Sequence, residues 1–295
     1  MSETSSLENE KVDFLLQNRD FFIDLLQRFH PLKPDLLEKY ADELDWEQLS
    51  RSDKLPWSDD LIAQYESRWN WDKLSGNEAL PFSNDLLEQF ADRWTWGSFL
   101  YPGLSANGEL PWTEELIGRY ADRWDWGNLS TNEALPWSED LLDKYEDQWE
   151  WDKLSRNQAL PWSEELIERR ADRWNWKRLS NNEGLPWSED LLEDYSDRWD
   201  WENLSSNQGI PWSEELIAHF SDRWDWEKTD SLSTNEDLPW SEDLIVQYAN
   251  RWNWTQLSHN EALPWSSSLV NKHVDKWSWK GLALNESIPW NKELI

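Results

Sequence analysis

The sequence contains no cysteine in 295 residues, which excludes disulfides, thiolate metal sites and a cysteine nucleophile. Glycine is scarce at nine residues, leaving little material for a phosphate-cradling loop, and no such motif is present. Positive charge is also short: 28 Lys and Arg stand against 60 Asp and Glu, a formal net charge of −32. Lys and Arg supply most non-specific affinity for phosphate backbones, so nucleic acid is not the expected partner. No run approaches the roughly 18 apolar residues of a membrane span. The start, Met1 to Ser6, has neither a basic leader nor an apolar stretch, so no membrane association and a cytoplasmic location are expected. The four histidines, His30, His219, His259 and His273, share no metal-ligand spacing, and no metal or cofactor is expected.

Tryptophan is what the chain has in abundance, 28 residues of it. Self-comparison shows why: Pro-Trp recurs at 56, 111, 136, 161, 186, 211, 239, 264 and 289, with Pro-Phe at 81, mostly 25 residues apart. The unit reads P-W-S-[ED]-[ED]-L-[IL]-x-x-[YF]-x-D-R-W-x-W-x-x-L-S-x-N-x-x-L. Nine such units fill residues 56–288, a degenerate unit occupies 30–55, and 289–295 begin another. That stub predicts either continuation of the array or packing against a partner. Residues 1–29 read as a tail and a helical capping segment, since terminal repeats need an atypical outer face. Two units are longer, and their extra residues, near Gly97 to Gly103 and Thr229 to Ser231, predict loops on one edge of a stack.

Within a unit, Ser58 is placed as an N-cap with Asp59 and Asp60 in the first turn, where the helix dipole favours carboxylates. Leu61, Ile62, Tyr65 and Trp69 follow at helical spacing and predict one helix of about eleven residues. Asn70 is placed to cap a second, shorter helix through Trp71 and Leu74, which Ser75, Asn77 and Pro81 end. The fold expected is all-α: an elongated α-solenoid of ~25-residue helix, short-helix and turn repeats. A leucine-rich repeat fits the length, but Asp72 and Lys73 separate Trp71 from Leu74 where that architecture needs alternating apolar residues. Closed rings and propellers fit the pattern less well than the helical solenoid.

The W-S-x-x-L-I and W-x-W-x-x-L-S-x-N motifs, spanning Pro56 to Ile295, resemble tryptophan-rich tandem repeats found in bacterial proteins. The resemblance supports the architecture and implies no activity.

Three tryptophans recur per unit. The first two are expected in the core, and the third is expected to be partly exposed, making Trp71, Trp126, Trp151, Trp176 and Trp201 candidate partner-binding residues. The Asp-Arg pair before the second Trp predicts a ladder in which each Arg meets a carboxylate or an indole of the neighbouring unit. The Asn shared by all nine units, from Asn77 to Asn285, predicts side chains that satisfy backbone groups of a buried turn. Arg169 and Arg170, with Arg173, Lys177 and Arg178, form one local basic cluster and are the second candidate contact.

A catalytic site needs singular residues, and this chain is a nearly uniform lattice, so no enzyme is expected. Positions four and five of the nine units carry 15 carboxylates; the remaining acidity predicts an acidic face. The function expected is a repeat scaffold that mediates protein–protein interaction through that face. Two readings compete with it: a carbohydrate-binding protein using the linker Trp residues, and an acidic inhibitor that imitates nucleic acid.

Overall fold

The structure is a computed structural model that describes residues 34–98 and 100–290. The expected N-terminal cap, 1–29, and the end of the partial repeat, 291–295, lie outside the described residues. These residues are all-α: eighteen α-helices of four to six residues and one 3₁₀ turn in a regular alternation, with no strand among them. They divide into two compact units, one ending at Trp149 and one beginning at Glu150. Each is a stretch of α-solenoid.

Each repeat starts as its sequence dictates. Ser188 Oγ accepts the Leu191 N–H at 3.0 Å and opens helix Glu189–Asp194. Asp200 Oδ1 accepts the Asn203 N–H at 3.0 Å and opens the shorter helix Trp201–Ser205. The first helix is six residues long, not eleven. At its end Tyr195 leaves the helical region with φ −116° and ψ 25°. Arg198 and Trp199 then both turn their N–H groups onto the Tyr195 carbonyl, at 2.8 and 3.2 Å. Nothing in Tyr-Ser-Asp-Arg forbids a helix, so the break is tertiary. Arg198 donates to the carbonyl of Ala171 one unit back, at 2.8 Å, and the tight turn drives Trp199 inward.

The innermost layer is aliphatic, contrary to the expectation that indoles fill it. Leu192, Leu204 and their equivalents Ile167, Leu179, Ile217 and Leu257 have no exposed surface. The second Trp of every unit lies beside them, 4–5% exposed. The first Trp packs on the second in its own unit, as Trp187 does on Trp199 at 5.0 Å, yet is half-buried in most units. Short helices bring the aliphatic pair of each unit close to its neighbours, leaving indoles the outer shell of the core.

A polar spine runs through each unit of the fold. Ser180 Oγ donates to the Trp176 carbonyl at 2.8 Å and accepts the Asp200 N–H of the next repeat at 2.9 Å. Asn207 Nδ2 donates to the carbonyls of Ser180 at 3.0 Å and Asn182 at 3.3 Å, while its Oδ1 accepts the Gly209 N–H at 2.8 Å. The Asn207 carbonyl in turn accepts the Trp212 indole N–H at 3.0 Å. The same pattern holds in the N-terminal unit, where Asn132 bridges to Ser105 and Asn107. The asparagines of this row are thus structural: each is buried and bonded to backbone groups of its own and the preceding repeat.

Replacing Asn207 by Ala removes its partner from the Ser180 carbonyl and the Gly209 N–H, while the Asn182 carbonyl keeps the Trp187 indole N–H. With about 1 kcal/mol or more lost per unsatisfied group, destabilisation of about 2 kcal/mol is expected in urea unfolding. A loss below ~0.5 kcal/mol would show that the spine contributes nothing.

Candidate functional site

The third Trp of each repeat begins the short helix, and its indole N–H is tied back to the chain: Trp176 Nε1 donates to the Ala171 carbonyl at 2.9 Å. The ring is then enclosed by the following repeat. The second Trp of that repeat meets it edge-on at centroid distances of 4.6–4.9 Å, as in Trp71–Trp94, Trp126–Trp149, Trp151–Trp174 and Trp254–Trp277. A Tyr or Phe closes one side, with Tyr195 4.8 Å from Trp176 and Phe220 5.0 Å from Trp201. Arg lies over the ring: Arg198 over Trp176 at 5.3 Å and Arg223 over Trp201 at 5.9 Å. Trp71, Trp126, Trp151, Trp176 and Trp201 are therefore half-buried clamps between repeats, not open platforms. Trp279 provides the contrast: no Tyr, Arg or Trp of a following repeat lies against it among the described residues, and it is 51% exposed.

Where an Arg covers the indole it also holds the preceding repeat; Gln148 and Lys276 take its position in two repeats. Arg123 Nη1 donates to the Ala91 carbonyl at 2.6 Å and Nη2 to Asp92 at 2.7 Å; Arg68 treats Ala41 and Asp42 alike. The ladder anticipated from the Asp-Arg pair is present, with the carbonyl as an additional acceptor. Its carboxylates are 88–95% exposed, so each ion pair contributes under about 1 kcal/mol and the stacking of Arg on Trp carries the remainder.

The basic cluster is absorbed into this scheme. Arg170 is not an exposed grip: it takes the Tyr position of its repeat, is only 6% exposed, and lies 5.2 Å from the Trp151 ring, which Arg173 covers at 5.6 Å. A guanidinium suits that slot because it stacks flat on an indole as a phenol ring does. Lys177 pairs with Asp200 at 3.4 Å and Arg178 approaches Asp152 at 3.7 Å. Arg169 ends helix Glu164–Arg169 on the surface. These residues do not form one open basic patch.

The two insertions remodel the short-helix position. In the first, helix gives way to a 3₁₀ turn, Gly103–Ala106, and Gly103 takes φ +58° because a Cβ there would lie 2.1 Å from the Thr95 carbonyl oxygen. In the second, no helix forms between Trp226 and Asn235. Both loops complete the cover over the third indole: Trp96 and Trp226 are 9% and 5% exposed. Each also flanks a shallow cleft. The first, about 500 Å³, lies between Lys73, Glu78, Tyr101 and Pro102, with the Lys73 ammonium 4.4 Å from the Tyr101 ring centre. The second, about 530 Å³, is lined by Arg223, Lys228, Arg251, Glu202 and Asp225. A hydrogen bond from Lys228 to Glu202 holds that ammonium above the usual lysine range. Its opposite charges neutralise one another, so it offers no selective electrostatic attraction. No group of three or more His, Asp or Glu side chains arranged for a metal ion occurs among the described residues, and no helix there is long and apolar enough to cross a membrane.

What the sequence alone missed is the direction of the clamps, which join residues about 25 positions apart, and the Ser row of the spine. The recurrence of L-S in every full unit but the last, where Ala283 follows Leu282, was the available signal for the latter. The chain is a Trp-rich tandem-repeat protein by its own periodicity. No family model, curated protein or solved structure matches it.

Because the second Trp is the buried half of each clamp, Trp199→Ala is expected to destabilise by about 3–5 kcal/mol in denaturant unfolding. Asp172→Ala, which removes only the exposed carboxylate facing Arg198, is expected to cost less than about 1 kcal/mol. The reverse order would mean that ion pairs, not indoles, join the repeats.

Proposed function

We propose that the protein is a non-enzymatic repeat scaffold that holds a basic protein segment along the edge where its six-residue helices begin. The observation that carries this reading is the unequal fate of the two charges. Cations are drawn into the clamp, where Arg68, Arg123, Arg198, Arg223 and Arg251 each meet an Asp one repeat back. Many carboxylates of the helix starts are left over, although Glu115 pairs with Arg119 and Glu189 with His219, both at 2.9 Å. Glu165, Asp190, Glu215 and Asp243 in the C-terminal unit are exposed and meet no basic side chain among the described residues; Asp60, Asp85 and Asp140 are their counterparts in the N-terminal unit.

Successive helix starts are neighbours in space. Ser241 Oγ donates to the Glu214 carboxylate of the preceding repeat at 3.1 Å, and Ser266 Oγ to Glu242 at 3.3 Å. Within the C-terminal unit the carboxylates therefore form a row whose fields add, which favours Lys- or Arg-rich chains and speeds their encounter at low salt. Sugar binding by the third indoles is less well supported, since Arg and the aromatic residue of the next repeat occupy the ring surface a sugar needs. The resemblance to bacterial tandem repeats adds no activity to this reading.

The test is titration of a fluorescent oligolysine at about 50 mM and 300 mM salt, conditions between which screening tightens appreciably. Glu165→Gln, Asp190→Asn and Glu215→Gln together are expected to weaken binding about tenfold at low salt. Asp172→Asn, Asp197→Asn and Asp222→Asn, which remove the same charge from the clamp row, are expected to weaken it far less. Equal losses would reduce the effect to net charge and end the proposal; no salt dependence would do so as well.

A further inference from the structure

The aromatic slot that closes on each third indole is filled by Tyr or Phe in most repeats, and by His273 in the last full one. The His273 imidazole stacks 4.8 Å from Trp254 at 40° and meets the edge of Trp277 at 6.2 Å. Its Nε2 is buried and has no hydrogen-bond partner. The charges facing it are Lys272 on its own helix, Lys276 in the following turn and Glu242 on the preceding repeat's first helix. Lys276 is fixed in place, its Nζ 5.2 Å over Trp254 and bonded to the Ala249 carbonyl at 2.9 Å. The surroundings differ from those of the other cationic slot residue. Arg170 follows a helix carrying Glu164, Glu165 and Glu168, whereas the helix before His273 reads Ser-Ser-Leu-Val-Asn-Lys and has no carboxylate.

We propose that His273 is a pH-sensitive latch between the last full repeat and the rest of its unit, closed when the imidazole is neutral and loosened when it takes up a proton. Neutral His serves as a flat ring between two indoles, as Tyr does elsewhere. A protonated ring carries a second N–H into a place without an acceptor, beside two ammonium groups. Burial foremost, then Lys272 and Lys276, push the His273 pKa below the ordinary value, and the weaker influence of Glu242 does not offset them. The sign follows from linkage. Above the ordinary His value of about 6.5 both folded and open forms are neutral, and the latch is unaffected. Below it the open form binds the proton first, so stability falls with pH until the depressed folded pKa is reached. The window opens above the range in which most carboxylates titrate. Mild acid therefore exposes Trp254 and Trp277 while the Arg-carboxylate clamps of the preceding repeats stay charged.

The experiment is hydrogen exchange, corrected for intrinsic rate, at the Leu282 amide, which donates to the Ser278 carbonyl at 2.9 Å. It compares the full chain with His273→Tyr and His273→Phe between pH 7.5 and 5.5. In the wild type the opening equilibrium is expected to rise several-fold over this range, the ceiling for one group being tenfold per pH unit. Both variants keep His219 and His259 and are expected to show no such rise. An imidazole NMR titration reads the His273 pKa directly. A pKa at or above 6.5, an unchanged wild-type opening equilibrium, or the same rise in both variants would overturn the proposal. Should one variant fold poorly, the other and the NMR titration decide.

Discussion

Everything in this fold depends on one contact: the edge of a buried indole set against the face of the indole that begins the preceding repeat's short helix. It recurs at 4.6–4.9 Å with interplanar angles of 62–78°. This is the geometry that the ring quadrupole favours, positive edge toward negative face. The contact joins one repeat to the next and never closes within a repeat. A single 25-residue unit therefore cannot bury its own aromatic surface, and stability has to accumulate along the array.

The other conspicuous features follow from that contact. The face of the third indole left open by the edge-on partner is covered in most repeats by a guanidinium, which also reaches the backbone carbonyl and carboxylate of the same repeat. Using Arg in this way ties seven of the 28 basic residues to the clamps. The acidic character of the surface is thus partly a consequence of how the core is sealed, and partly of the carboxylates that favour helix starts.

Much of this was legible in the sequence. Ser before two carboxylates and an aliphatic pair is a local signal, and helices begin there, at Glu189 and Glu214 as at Asp59. Asp and Asn before the third Trp are equally local and cap as read. The helix length was not legible, because Tyr195 to Trp199 are compatible with helix and are bent only by contacts to residues some 25 positions earlier. The third indoles are partly exposed as expected, although the aromatic residue of the following repeat that encloses them was not legible. Arg170 looked like a surface charge because, although it occupies the [YF] position of its repeat, sequence alone does not show that this position is a buried stacking slot.

The spine serine keeps its place where the chain is longer. Ser105 follows five extra residues and Ser233 three, yet each still donates to the carbonyl of its third Trp and accepts the backbone N–H that opens the next repeat's second segment. The points on either side of the insertion are pinned by the same bonds as in an uninterrupted repeat. Chain added between them bulges outward without altering the stacking register. The lattice thus has a port at this position, through which segments of differing length and chemistry can enter one repeat at a time while the array around them stays in phase.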